Sequence, residues 1–356
     1  MTTSQHDLHV AYILSDEFVL PFVASATSVA ENTGHDSVCI HVLFATGNLT
    51  RRHRERIDDV LELPVDFIRV SHTRFEVFDN PRFGVEAFLK LLIPEKLSRL
   101  SKCLYLDCDT IVRADIASLF RTPMDGCPVA AVQDAWIPYV SSPEGVQLWE
   151  ELGLDAETPF FNSGVLLLDL EMLRDMDLLA RARRYVRAHR NEMNKMGDQE
   201  VQNALLAGHW KSLDLSWNAV PPLYRRSRRP TLSLLEEKGL SESDVTRRAK
   251  IIHFTGFLER PWKAESRYTR PQPHPERSTF NRYLWKSGWF SLPEWYAYQA
   301  SFYRDRTVET LRDLTRPLRH RTRQSVAAHL GFDLPFLGGA PSLPEQPADS
   351  SPLPDA

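Results

Sequence analysis

Short apolar runs alternate with amphipathic stretches along the first two thirds of the chain. The runs predict strands at residues 8–14, 38–44, 65–70, 103–112, 128–132, 161–168 and 250–254. Stretches with an apolar position every three or four residues predict helices at residues 19–30, 50–61, 83–97, 171–190 and 198–207. Strands and helices that alternate in this way form βαβ units. We therefore expect an α/β fold with a mostly parallel sheet and helices on both of its faces.

The fourth apolar run leads into two carboxylates that are one residue apart, Asp107 and Asp109. Side chains of an extended strand alternate between its faces, so we expect both carboxylates to point the same way. Two adjacent carboxylates repel each other unless a cation lies between them, and Mg²⁺ and Mn²⁺ suit oxygen ligands. The pair therefore indicates a metal–phosphate site. A pair of solvated carboxylates at a strand end is the alternative.

The composition narrows the functional classes. The 356 residues are 42% hydrophobic and 25% charged, and the formal net charge is −4, so no global field attracts nucleic acid. The start of the chain lacks the pattern of a signal peptide, and no window is apolar enough to span a membrane. The four cysteines form no CxxC pair. We expect a cytoplasmic protein with reduced thiols and no nucleic-acid partner.

The character of the chain changes after about residue 281. Aromatic residues crowd into positions 285–303, and arginines outnumber acidic residues between positions 300 and 330. We expect a main domain over residues 1–290, a basic and aromatic helical extension over 291–332, and a disordered tail over 333–356. The extension has two interpretations, a peripheral contact with the anionic inner face of the membrane or a solvated basic helix.

Two loops that adjoin predicted strands carry polar groups. Residues 15–17, Ser-Asp-Glu, follow the first strand, where a carboxylate can accept hydrogen bonds from a ribose or a base. A helix cap explains these residues equally well. Residues 162–164, Asn-Ser-Gly, open a very apolar strand, and the glycine permits a close backbone approach. They suit a sugar hydroxyl, with ordinary turn chemistry as the alternative.

Two later segments complete the candidate chemistry. Asp198 begins a predicted helix, where it suits a capping role, and the neighbouring carboxamide of Gln199 can stabilise charge near a reacting carbon. His253 lies within a strand-like run, where a histidine is more often a core residue than a ligand. It would nevertheless suit Mn²⁺ as a third ligand beside two carboxylates. Arg260 follows in a loop and suits phosphate oxygens.

Taken together and in this order, the segments resemble glycosyltransferase family 8, above all its bacterial lipooligosaccharide galactosyl- and glucosyltransferases. The resemblance covers about residues 8–289. The matching residues are Tyr-Leu-Asp-Cys-Asp at 105–109, Phe-Asn-Ser-Gly-Val at 161–165, Asp-Gln-Glu at 198–200, and His-Phe-Thr-Gly with Arg-Pro-Trp within 253–262. The resemblance implies a GT-A fold, a single Rossmann-like mixed sheet flanked by helices with a helical C-terminal extension. It also implies a retaining transfer of glucose or galactose from a UDP-sugar.

The resemblance implies roles for individual residues. Asp107, Asp109 and His253 would hold Mn²⁺ or Mg²⁺ on the donor diphosphate. Gln199 and Asp198 would lie at the reacting carbon as catalytic residues. The acceptor side would be contacted by Asp134, and the donor by Ile13, Ser15, Asp16, Glu17, Lys90, Cys108, Asn162, Ser163, Gly256 and Arg260.

The chain departs from the family pattern at a few positions. Ser15 and Glu17 stand where the family usually has an acidic residue and an Asn-like residue, which leaves the base and ribose contacts open. Arg260 stands where Lys is usual, and Lys90 where Arg is frequent.

The implied partners are a nucleotide-sugar donor and a glycan or glycolipid acceptor, such as lipopolysaccharide, lipooligosaccharide or another surface polysaccharide. One alternative is a non-catalytic carbohydrate- or nucleotide-sugar-binding protein on the same fold. Another is a nucleotidyltransferase of sugar phosphates. That class ordinarily shows a glycine-rich phosphate loop near the N-terminus, which this sequence lacks.

Overall fold

A sheet of seven strands forms the centre of the fold in the computed structural model, which describes residues 8–33, 37–71, 78, 85–193, 196–224, 229–255, 260–262 and 274–301. The strands are β1 (Leu8–Ile13), β2 (Val38–Ala45), β3 (Val65–Val70), β4 (Lys102–Leu106), β6 (Val129–Gln133), β7 (Phe161–Asp169) and β8 (Trp210–Leu213). Their order is β3-β2-β1-β4-β7-β6-β8, and β7 runs antiparallel to both neighbours. The other four pairings are parallel, so the predicted mostly parallel sheet is confirmed.

A second, two-stranded sheet pairs β5 (Thr110–Val112) with β9 (Ile251–His253) in antiparallel fashion. The helices around the two sheets are α1 (Val19–Glu31), α2 (Arg51–Val60), α3 (Ile93–Lys96), α4 (Ile116–Phe120), α5 (Leu170–Asp175), α6 (Leu178–His189), α7 (Asp198–Leu206), α8 (Arg229–Glu237), α9 (Glu242–Arg247) and α10 (Arg277–Lys286). Residues 292–301 are helical as well. Among the described helices, none combines the length and the apolar character that crossing a membrane requires.

The sheet is buried on both faces because neighbouring residues of its central strands face opposite cores. Val10 and Tyr12 of β1 pack on the side that α1 and α10 cover, together with Phe22 of α1. Ala11, between them, packs on the side that α5, α6 and α7 cover. Strands covered on both faces carry near-continuous apolar runs. This is why β1, β2 and β7 were predictable from their apolar runs alone.

Some predicted elements differ from the structure. The predicted helix over 171–190 is wrong as a single helix, because the chain takes a left-handed conformation at Asp177 (φ 51°) and separates α5 from α6. Within the predicted helix over 83–97, Val85–Leu92 forms a 3₁₀ helix before α3. β8, α4, α8, α9 and α10 were not predicted. Strand β8 is short, lies at the sheet edge and has only one buried residue, so its apolar signal is weak.

The predicted strand over 103–112 is also wrong as a single strand. β4 ends at Leu106, and the chain turns through Asp107, Cys108 and Asp109 before β5 begins in the other sheet. The two carboxylates therefore do not owe their common direction to strand alternation. The pairing of β5 with β9 sets Thr110 opposite His253, and this register brings the histidine to the turn.

The described residues belong to the first of two compact units, Met1–Arg304. The second unit, Asp305–Ala356, lies outside the described residues, and with it most of the predicted extension and the whole predicted tail.

Candidate active site

A cleft of about 740 Å³ opens at the carboxyl ends of β1, β2 and β4, where ligands of open α/β sheets bind. Most of the predicted site residues line it: Ile13, Ser15, Asp16, Glu17, Lys90, Asp107, Cys108, Asp109, Ser163, Asp198, Gln199 and Arg260. Asn162, Asp134 and His253 are buried and are not among the lining residues. Gly256 lies outside the described residues. The structure thus brings together residues from six separate parts of the chain.

Three ligand-type side chains meet at the turn after β4. Nε2 of His253 lies 3.2 Å from Oδ1 of Asp109 and 3.5 Å from Oδ2 of Asp107. One ligand atom from each residue lies within 4.8 Å of the others. We call Asp107, Asp109 and His253 the cleft cluster. Two carboxylate oxygens and one imidazole nitrogen suit Mn²⁺ or Mg²⁺ better than a thiophilic ion.

The surroundings of His253 fit a bound cation. Its ring is fully buried, yet Nε2 has no hydrogen-bond partner among the described residues. Nδ1 lies 2.9 Å from Oδ1 of Asn218, so a ring proton on Nδ1 donates to the amide oxygen and leaves a lone pair on Nε2 toward the carboxylates. In metal centres, a histidine ligand typically donates a hydrogen bond from its other ring nitrogen to a neighbouring acceptor in this way.

Asp134 fixes this orientation through two amides. Its Oδ2 accepts a hydrogen bond from Nδ2 of Asn162 (2.9 Å), whose Oδ1 accepts one from Nδ2 of Asn218 (2.8 Å). Because a carboxylate only accepts, each amide in the series has one allowed orientation, and the series ends with Oδ1 of Asn218 facing His253. We call Asp134, Asn162, Asn218 and the ring of His253 the amide relay.

Gly164 lets the cleft cluster form. A Cβ atom at this position would lie 2.1 Å from Cε1 of His253 and 2.7 Å from Oδ2 of Asp107. The carbonyl oxygen of Gly164 also accepts a hydrogen bond from the backbone N–H of Asp107 (2.8 Å). Only glycine allows the strand β7 to approach two ligands this closely.

The electrostatics of the cluster follow from its burial and its charges. Burial lowers the pKa of His253, but the Asp109 and Asp107 carboxylates outweigh burial and the net shift is upward. Burial raises the pKa of Asp109, but His253, followed by Arg260, reverses this and the net shift is downward. The metal-free cluster therefore favours a charged pair of His253 and Asp109, and a cation must displace the ring proton.

Lys90 places a buried ammonium beside the cluster. Its Nζ lies 2.9 Å from Oδ2 of Asp198 and 3.7 Å from Oδ1 of Asp107, and it donates to the carbonyl oxygen and the hydroxyl of Ser163. Burial lowers the pKa of this ammonium, but the two carboxylates outweigh burial and raise it overall. Lys90 therefore carries a fixed positive charge at the floor of the cleft. The hydroxyl of Tyr105 donates to Asp107 from the same side.

Asp198 does not cap its helix, which corrects the capping interpretation. The N-cap residue of α7 is Gly197, with φ 53°, and Asp198 is the first helical residue. Its Oδ2 atom contacts Lys90 and accepts hydrogen bonds from Oγ of Ser163 (3.1 Å) and Nε2 of Gln202 (3.1 Å). The carboxylate thus has three donors on one oxygen.

Both ends of the Gln199 carboxamide are held. Oε1 accepts a hydrogen bond from the backbone N–H of Ser163 (3.0 Å), and Nε2 donates one to Oδ2 of Asp134 (3.1 Å). Asp134 therefore orients Gln199 as well as the amide relay. Its second oxygen accepts from the backbone N–H groups of Trp136 and Ile137.

The loop after β1 is anchored away from the cluster. Oδ1 of Asp16 accepts hydrogen bonds from the backbone N–H of Thr50 (2.9 Å) and from Nδ1 of His53 (2.7 Å). Burial raises the pKa of Asp16, but these donors, His53 first, lower it overall. The carboxylate ties the loop to the first turn of α2 while it still lines the cleft. The guanidinium of Arg260, another lining residue, lies 5.5 Å from the ring centre of Phe18 at the end of the same loop.

Sequence reasoning missed Asn218 and Tyr105 as contacts of the cleft cluster. Asn218 ends a 3₁₀ helix, Leu215–Asn218, and no spacing links it to His253 in the sequence. The pairing of the isolated bridge Ala219 with Ile252 brings it there. For Tyr105 a signal existed, since it lies two residues before Asp107 within the same motif.

Comparisons with known proteins agree with this geometry. The family model described as Glycosyl transferase family 8 matches residues 9–266. General stress protein A of Bacillus subtilis (strain 168) is 23% identical over 293 residues, which cover 80% of this chain and 96% of that protein. Lipopolysaccharide 1,2-glucosyltransferase of Escherichia coli (strain K12) is 24% identical over 258 residues, which cover 72% of each protein.

A solved structure shares the architecture. The galactosyltransferase LgtC, in complex with donor and acceptor sugar analogs, matches with a TM-score of 0.65 and 21% sequence identity. The match covers 82% of this chain and 100% of that chain. The fold is therefore the GT-A fold.

Proposed function

The chain belongs to glycosyltransferase family 8 and is a glycosyltransferase, and from this premise we propose that it transfers a glucose or galactose residue from a UDP-sugar to a sugar hydroxyl, with retention of configuration. The observation that carries the proposal is the convergence of the cleft cluster, the Lys90 ammonium and the Gln199 carboxamide at one cleft. The acceptor that we propose is a glycan such as lipopolysaccharide, lipooligosaccharide or another surface polysaccharide, the class named for the Escherichia coli relative.

The cleft is charged to receive a diphosphate. The cleft cluster would hold Mn²⁺ or Mg²⁺, which would neutralise charge on the departing UDP. Lys90 adds a buried positive charge within 4 Å of Asp107, and Arg260 adds another among the residues that line the cleft. Fixed charges in a site that excludes water stabilise a developing negative charge most strongly.

The hydrogen bonds of Asp198 and Gln199 disfavour a covalent intermediate. Lys90, Ser163 and Gln202 all hold the Oδ2 atom of Asp198, which lowers the nucleophilicity of that oxygen. Gln199 is neutral, and both ends of its amide are occupied. We favour a front-face path in which the bond from the anomeric carbon to the phosphate oxygen breaks as the acceptor oxygen attacks. The leaving phosphate then takes the acceptor proton.

The test is a panel of UDP-sugars, with UDP release measured for the full chain with Mn²⁺ and with EDTA. We expect release from one hexose donor, with loss in EDTA and at least a hundredfold loss in Asp109→Asn, roughly the scale of removing one preorganised group. The matched control is Asp125→Asn, which changes an exposed carboxylate in an ion pair with Lys211 and should keep full activity. EDTA-resistant release, or full activity in Asp109→Asn, would refute the proposal.

The front-face path has its own test. Mass spectrometry of the enzyme quenched during turnover should show no added hexose on Asp198. A hexose trapped there would replace this path with a covalent one and leave the donor assignment intact. The peripheral membrane contact stays a prediction, because most of its basic residues lie beyond residue 301.

A further inference from the structure

A second group of metal-binding side chains lies at the other end of β1 from the cleft. His9 of β1, with Cys39 and His41 of β2, each offer one ligand atom, and these atoms lie within 4.8 Å of one another. We call these three residues the strand cluster. His9 precedes Ile13, which lines the cleft, by four strand positions, so roughly 13 Å of strand separates His9 from the edge of the cleft.

The sheet register creates the strand cluster. His9 pairs with Cys39 across the parallel strands, and His41 lies two residues beyond Cys39, so all three side chains share one face. Nδ1 of His9 lies 3.0 Å from Nε2 of His41. All three residues are at most 9% exposed, so the group is close to the surface and still largely desolvated.

A carboxylate supports one of these ligands. Nδ1 of His41 lies 3.3 Å from Oδ2 of Asp66, which pairs with His41 in the register of β2 and β3. A ring proton on Nδ1 then donates to the carboxylate, and Nε2 presents its lone pair toward His9. Carboxylate, imidazole and metal in series form the usual support of a zinc-bound histidine.

We propose that His9, Cys39 and His41 bind a divalent transition-metal ion of the zinc class, with Asp66 orienting His41. Two imidazole nitrogens and one thiolate suit Zn²⁺ or Co²⁺ and are poor ligands for Mg²⁺ and Ca²⁺. Tetrahedral Zn²⁺ with these ligands needs its donor atoms about 3.3–3.6 Å apart, and the three atoms here lie within 4.8 Å of one another before an ion binds. The fourth position would hold water.

Two proton shifts balance the binding step. The Cys39 thiol gives its proton to solvent and binds as thiolate. The His9 proton, which lies between the two rings when Nδ1 donates to His41, moves to Nε2 so that Nδ1 can bind the ion. Burial raises the pKa of the Cys39 thiol, so it stays protonated at neutral pH until an ion binds.

The experiment adds Co²⁺ to the metal-free full chain in excess Mg²⁺, which competes for the oxygen-rich cleft cluster. We expect a thiolate-to-cobalt charge-transfer band and the visible bands of tetrahedral Co²⁺, with one ion bound per chain. The isosteric variant Cys39→Ser should lose the charge-transfer band. Two matched controls, Cys127→Ser and Cys108→Ser, should keep it, since neither thiol belongs to the strand cluster.

Each outcome decides the proposal. The proposed site is overturned if the charge-transfer band survives in Cys39→Ser, or if the unaltered protein shows no such band. His9 and His41 would then be only a hydrogen-bonded pair. A band lost in Cys108→Ser would instead place the ion at the cleft cluster. His41→Asn supplies a second variant if Cys39→Ser fails to fold, and it should lower the bound Co²⁺ to below one tenth of the unaltered level.

Discussion

The cleft cluster and the strand cluster lie at opposite ends of β1 and bring their ligands together by different means. Regular strand register suffices for the strand cluster, because adjacent strands carry residues of one face side by side. In the cleft cluster, the chain leaves one sheet at Asp107 and enters another at Thr110, and β9 must pair with β5 before His253 arrives. Proximity of ligand-type residues is therefore a weak indicator of function by itself.

The two clusters also differ in the hydrogen bonds and charged groups that hold their ligands. The cleft cluster has the amide relay, the Tyr105 hydroxyl and the Lys90 ammonium, all of them buried. The strand cluster has one carboxylate, Asp66, whose side chain is 58% exposed. Buried polar networks hold their side chains in one arrangement to the extent that their hydrogen bonds are satisfied. An oriented site is therefore recognised by the hydrogen bonds that hold its ligands more than by the identity of the ligands.

Gly164→Ala should break the cleft cluster most severely. The new Cβ would meet both His253 and Asp107, so the ligands must separate. We expect Mn²⁺ affinity to fall about 100-fold, at the upper end for disturbed metal environments, and stability to fall by about 1–3 kcal/mol from overpacking. Isothermal titration with Mn²⁺ and urea unfolding measure the two effects.

Gly145→Ala is the matched control for Gly164→Ala. Its Cβ would lie 2.3 Å from the carbonyl oxygen of Val140, far from any ligand of the cleft cluster. It should lose stability and keep its Mn²⁺ affinity. Equal Mn²⁺ affinities in the two glycine variants would mean that the close approach of β7 does not matter for the site.

Asn218→Ala should weaken Mn²⁺ binding about tenfold, because it removes the acceptor that fixes Nδ1 of His253. Asn218→Asp keeps the acceptor for Nδ1 of His253 but loses the donor to Oδ1 of Asn162, so it should recover only part of the affinity. The measurement is a titration with Mn²⁺ in which electron paramagnetic resonance reports the bound ion. If both variants bind Mn²⁺ equally weakly, the amide relay matters only for packing, and the contrast with the strand cluster disappears.

The smallest effect is a pH dependence of the metal-free protein. Because Asp109 and Asp107 raise the pKa of His253 despite burial, ring protonation stabilises the metal-free fold below the ordinary histidine pKa of about 6.5. That contribution is lost as pH rises through the raised pKa. The Tm measured with EDTA should therefore fall, relative to His253→Gln, as pH rises above about 6.5. A flat difference between the two proteins would contradict the raised pKa.

The fold was predictable from the sequence where strands of the central sheet are buried on both faces. The mostly apolar runs of β1, β2 and β7 are typical of buried strands, so the existence of these strands follows from the sequence. The break at Asp107 and the left-handed residue Asp177 were missed, because no local propensity marks them. Tertiary contacts decide both positions.

The candidate site was predictable as a set of residues and not as a network. The motif order pointed to Asp107, Gln199 and His253, which the structure places within one region. Their partners were not predictable, because Asn218 reaches His253 only through the β9 pairing. The same limit applied to Asp198, whose position at a helix start suggested a cap while its actual partner is Lys90.

The pairing of β5 with β9 has a consequence for synthesis of the chain on the ribosome. Asp107 and Asp109 emerge early, whereas His253 emerges near the end of the matched region. Contacts between distant parts of a chain form late, because the intervening loop must first close. A nascent chain that stops before Ile251 would carry most of the cleft and still lack its third ligand. The cleft cluster would therefore be complete only when nearly all of the domain has been made.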